Sequence, residues 1–189
     1  MRFALIAIVA LLGAAAYAQT RLPAYAPGAA AGARPLAQAQ RFERRFLQIT
    51  AGNMRFQAEA SRMADSRSNN PAVKELANTL LARQQTAQPE LLRLLHARGM
   101  ALPIASPQHA KVLRQLAKLN GAKFDRLYVD EVVTRSSQAD IGNYERVTTQ
   151  AEDPVLKAWV ERQLPTLRFH AAKAGKALPA AVLRGQRAV

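Results

Sequence analysis

The sequence predicts an all-α fold: a four-helix bundle with one short extra helix between the second and third long helices. Three observations carry this. Apolar and small residues recur at three-and-four spacing through four separate stretches, the period of one helical face. Those stretches are punctuated by cap-plus-proline starts at Asn70-Pro71, Ser106-Pro107 and Asp153-Pro154 and by stops at Gly99, Asn120-Gly121 and Gly175. No stretch alternates like a strand between turns, and no segment repeats at a fixed period.

The first eighteen residues read as a cleaved export signal. Arg2 gives the positive start, Phe3 to Gly13 is apolar, and Ala16-Tyr17-Ala18 is a small-x-small cleavage site before Gln19. The apolar run is shorter than the roughly 20 residues a spanning helix needs. Residues 19–37 are rich in Ala, Gly and Pro, show no helical stripe, and are expected to be a disordered tether.

The bundle is expected over residues 38–175. Its first helix runs from Gln38 to about Asp65 with the stripe Phe42, Phe46, Ile49, Asn53, Phe56, Ala60 and Met63. Arg41, Arg44, Arg45, Arg55 and Arg62 make much of the remaining surface basic, and Gly52-Asn53 weakens the middle. The second helix starts at Asn70-Pro71 and carries Val73, Leu76, Leu80, Gln84, Gln88, Leu91 and Leu95, with Pro89 predicting a kink or a short break near Gln85. The apolar loop Gly99 to Ser106 is expected to cover one end of the bundle, and a short helix follows to about Leu119.

This long connection allows a crossover, as in ferritin-like bundles. The third long helix, from Gly121, has the stripe Phe124, Tyr128, Val132, Ser136, Ala139, Asn143 and Val147, widened by Leu127, Val129, Val133, Ile141 and Tyr144. After Glu152-Asp153 the fourth carries Leu156, Val160, Gln163, Leu167, His170 and Ala174, with a proline kink at Pro165. Residues 176–189 form a basic tail without an acidic residue, expected to fray.

These motifs together resemble the ferritin-like, exported bacterial domain-of-unknown-function family DUF4142, whose members are often labelled outer membrane proteins. The resemblance rests on Ser61-Arg62-Met63-Ala64, Asn70-Pro71-Ala72-Val73-Lys74, Gly99-Met100-Ala101-Leu102-Pro103, Phe124-Asp125 with Tyr128, Leu164-Pro165 and His170. It covers roughly Phe42 to Ala174 and implies a four-helix bundle and export, with no settled activity. Members of that family often carry an Asp-His pair where this chain has Arg83-Gln84, and a histidine where it has Ser136. Of the histidines the resemblance implies, His170 alone remains.

The residues support little chemistry. The chain has no cysteine, which excludes thiol catalysis and disulfides. A ferritin-like di-iron site needs carboxylates and Glu-x-x-His pairs on facing helices. No such pair exists: Arg93, Ser106 and Leu167 stand three residues before His96, His109 and His170. Gln84, Ser136 and His170 fall on apolar stripes and are expected to meet in the core as a hydrogen-bonded polar patch. Neither a nucleophile elbow nor a phosphate-cradling glycine loop is present. No catalytic residue, metal ligand or cofactor is therefore assigned, and the chain reads as non-enzymatic.

Charge is the strongest functional signal. Lys and Arg number 27 against 13 Asp and Glu, a formal charge of +14, which becomes +13 when cleavage removes Arg2. Such a domain attracts polyanions. For an exported protein in the periplasm or at the outer membrane these are anionic lipid and lipopolysaccharide phosphates, with Arg41, Arg44, Arg45, Arg55 and Arg62 as the contacting set. Nucleic acid fits by charge alone but not with export. The competing expectation is a metal-binding ferritin-like protein with a redox or storage role.

Overall fold

The computed structural model describes residues 37–177. The expected export signal, nearly all of the tether and most of the basic tail lie outside the described residues. Every regular element among them is helical. Helix α1 is Gln38–Arg67, α2 is Pro71–His96, and the short α3 is Pro107–Leu116. Helix α4 runs as α-helix over Gly121–Leu127, as π-helix over Tyr128–Arg135 and as α-helix again over Ser136–Gln150. Helix α5 is Pro154–Ala177.

The starts form as the sequence chemistry dictates. Asn70 Oδ1 accepts from the Ala72 amide at 3.0 Å, Ser106 Oγ from His109 at 3.1 Å, and Asp153 Oδ1 from Val155 and Leu156 at 2.8 and 3.1 Å. Each satisfies amides that have no partner inside a first turn. A further device was not legible. Buried Glu43 of α1 accepts from the Glu152 and Asp153 amides at 2.8 and 2.9 Å, so a carboxylate from another helix seats the start of α5. Gly99 and Gly121, at φ of 60° and 56°, supply the left-handed conformations after α2 and at the first residue of α4.

Helix α2 passes through Pro89 and α5 through Pro165 without a break. Of the kink or short break expected near Gln85, the break does not occur: both prolines face solvent, where a carbonyl that loses its helical partner can turn to water. The loop after α2 covers less than its composition suggests. Met100 is buried, Leu102 and Ile104 are exposed, and Pro103 lies over Gly52 of α1.

Helices α1 and α2, α2 and α5, α5 and α4, and α4 and α1 are neighbours. Ion pairs tie α5 across its neighbours: Arg162 to Glu90 at 3.2 Å, Lys173 to Glu75 at 2.6 Å and Arg168 to Glu145 at 2.7 Å. Such exposed pairs contribute little energy, so packing carries the fold. The apolar core falls into two clusters. One joins Phe46, Leu47, Leu95, Tyr144, Trp159 and Leu167 among others. The other joins Phe56, Leu76, Phe124, Tyr128 and Val132 with Val112, Leu113 and Leu116 of α3. The short helix thus closes the second cluster.

Candidate functional site

Between the two apolar clusters lies a layer of buried polar side chains. On α1 the clusters change over between Met54 and Phe56, and the polar residues Asn53 and Gln57 flank that point. Helix α2 places Arg83 between Leu80 and Ala87, and α4 places Ser136, Ser137 and Asp140 between Val133 and Tyr144. Helix α5 adds His170 just beyond Leu167. All of these are at most 8% exposed.

A hydrogen-bond chain links three of the helices. Asn53 Nδ2 donates to Asp140 Oδ1 at 2.6 Å, and Gln57 Nε2 donates to Ser136 Oγ at 2.8 Å and to Asp140 Oδ2 at 3.2 Å. Arg83 donates to Gln57 Oε1 at 3.3 Å. A separate bond, 2.7 Å between the Ser61 and Tyr128 hydroxyls, ties α1 to α4 inside the second cluster. Unpartnered donors and acceptors remain: Arg83 Nε, Ser137 Oγ and His170 Nδ1 have no partner among the described residues.

Burial controls protonation here. It pushes the Asp140 carboxyl up to about 6, and the amide of Asn53, the Arg83 charge and the amide of Gln57 only partly restrain it. Burial lowers His170, and the nearby positive charges of Arg83 and Lys173 add to that. The Tyr128 and Tyr144 phenols are pushed well above their usual range by the same loss of water. At neutral pH the layer holds a neutral imidazole, a guanidinium and a carboxylate that is largely ionised. Breaking such a buried charge relation by removing one member leaves the other uncompensated, a large cost.

The donor set does not suit a metal centre. It offers one carboxylate and one imidazole, the rest being neutral amides and hydroxyls, and Arg83 fixes a positive charge among them. A di-iron site wants several anionic oxygens. Among the described residues no three His, Asp or Glu side chains converge.

Of the three residues expected to meet, Ser136 and His170 are buried and Gln84 is half-buried. The residue that α2 turns inward is its neighbour Arg83. Likewise Asp140 is buried where Ala139 was expected, and Ala139 is exposed. The π stretch explains the second difference. Phe124, Tyr128, Val132, Ser136, Asp140 and Tyr144 share the inner face at strict four-residue spacing. Four residues overshoot an α-helical turn by about 40°, and the wider π turns take up that drift. The spacing itself was the available signal.

The arginines of α1 divide. Arg41, Arg45, Arg55 and Arg62 are exposed, whereas Arg44 is half-buried and donates to the Arg98 carbonyl. Arg98 in turn pairs with Asp153. The four exposed arginines lie on one solvent stripe of α1 with Gln48 and Glu59. Arg45 also lines, with Arg146, a cleft of about 270 Å³ floored by Phe42, Phe46 and Ile49. No described helix is long and apolar enough to cross a membrane.

Among known proteins, the family profile described as "Domain of unknown function (DUF4142)" matches residues 27–177. No curated protein and no solved structure matches the chain. The chain belongs to the DUF4142 family.

Proposed function

We propose that this DUF4142 domain is an exported, ferritin-like four-helix bundle without enzymatic activity that binds anionic envelope surfaces through the solvent face of α1. One observation carries the reading. Arg41, Arg45, Arg55 and Arg62 are all exposed on a single stripe, and Glu59 is the only acid between them on that face. The stripe extends over about 30 Å at 1.5 Å rise per residue. Basic side chains held near an anionic bilayer contribute about 1 kcal/mol each, within a screening length of roughly 8 Å at physiological salt.

Export directed by the signal expected in residues 1–18 would bring such a stripe among lipid and lipopolysaccharide phosphates. The neighbour relations of the four long helices, with a long connection from α2 to α4, support the ferritin-like reading of the bundle. The mature protein, residues 19–189, is expected to co-sediment with phosphatidylglycerol vesicles or lipopolysaccharide at low salt. It is expected to release by about 0.5 M, where screening lengths are only a few ångströms. Failure to bind at low salt would sink the reading.

A further inference from the structure

The C-terminal end of α2 and the first turns of α5 enclose a cleft of about 430 Å³, well within the size range of small-molecule sites. Its two characters are separable. Leu94 and Trp159 are buried and line it together with Val155, a branched apolar side chain left 65% exposed. Arg93, Arg98 and Arg162 supply three guanidiniums. Two of them already have carboxylates, Arg98 from Asp153 and Arg162 from Glu90 at 3.2 Å. Arg93 is exposed and has no acidic partner among the described residues.

Glu90 and Asp153 also line the cleft, each held by one of these arginines, while Trp159 is 1% exposed and packs against Phe46 and Tyr144. The cleft therefore combines apolar surface with one cation, Arg93, that its own carboxylates leave unmatched.

We propose that this cleft binds a single-chain amphiphile with an anionic head. The chain covers Val155 and Leu94, and the head pairs with Arg93. A neutral alkyl ligand leaves Arg93 unmatched, and a cationic one is repelled by it. This goes beyond diffuse attraction of the α1 stripe to a surface, because it is a discrete and saturable site. The head is either a carboxylate, as in a fatty acid, or a phosphate monoester, as in a lipid fragment.

Trp159 is the sole tryptophan of the chain, so its fluorescence reads the cleft directly. The probes are decanoate, decyl phosphate and decanol, each titrated below its micelle or solubility limit into the mature protein. The expected result is a saturable, one-to-one change with one or both anionic probes, with decanol weaker by about tenfold. The tighter of the two anionic probes identifies the head chemistry. Arg93→Gln is expected to weaken binding about tenfold, the scale of one charge-assisted hydrogen bond. Ala97→Phe, at an exposed lining position, is expected to abolish it by filling the cleft, with circular dichroism confirming the fold. Reversing Arg45, Arg55 and Arg62 to Glu is expected to leave the decanoate titration unchanged, which separates this site from the α1 stripe. A response that does not saturate, that is equal for decanol, or that survives Arg93→Gln and Ala97→Phe would overturn the proposal.

Discussion

Asp140 sits where its own charge is disfavoured, and that makes it measurable. An unfolded aspartate titrates near 3.9, and the folded one near 6. Between those values the folded state keeps a proton that the unfolded chain has released. Its contribution is therefore fully present below about pH 4 and is lost as pH rises through about 6. A shift of two units corresponds to roughly 3 kcal/mol. Asp140→Asn removes this titration, so the difference in urea-unfolding stability between variant and parent should change by an amount of that order between pH 4 and 7. A constant difference would contradict the account. His170, lowered by burial, works in the opposite sense: stability falls as pH drops below its unfolded value near 6.5. That dependence is common to parent and variant. At the other end of the molecule, Glu43→Ala should cost about 1–3 kcal/mol, because it leaves two amides at the start of α5 without their acceptor. Thermal melts check it, and a cost near zero would mean that water replaces the carboxylate.

Helices were legible as elements, and their inner faces were legible unevenly. The three-and-four pattern located the four long helices, and the caps at Asn70, Ser106 and Asp153 located three starts, because capping and proline chemistry act within a few residues. The last helix runs through the stop expected at Gly175 to Ala177. The inner face of α4 was only half readable. Phe124, Tyr128, Val132 and Ser136 follow from any helical period, but Asp140 is buried only because a π stretch rotates the second half of the helix. Arg83 was hidden for another reason. A long cation reads as surface until partners such as Gln57 and Asp140 are placed beside it by other helices. Glu43 likewise has its partners more than a hundred residues away. The prolines give an element-scale test. Pro89 is exposed within continuous α2 and leaves the Gln85 carbonyl without a helical partner. Pro89→Ala should raise stability by about 1–3 kcal/mol. Lower stability would show that packing of α2 uses the distortion.

At the scale of the whole molecule, two apolar clusters hold the helices and a polar layer separates them. Leu167 and Phe124 are both fully buried, one in each cluster. Leu167→Ala and Phe124→Ala should each cost about 2–5 kcal/mol in chemical unfolding. Because they lie in different clusters, their costs should nearly add. The surface is a separate matter. The domain carries basic residues on every helix, so simple excess charge would attract an anionic surface from any side. The functional reading instead assigns the contact to one face of α1. The most direct measurement compares two variants of equal charge in vesicle co-sedimentation at low salt. One reverses Arg45, Arg55 and Arg62 to Glu on the stripe; the other reverses the exposed Arg114, Lys118 and Lys123 to Glu around α3 and the start of α4. The account predicts that the first loses binding to phosphatidylglycerol vesicles and the second retains most of it. Equal loss from both, or retention by the first, would contradict it.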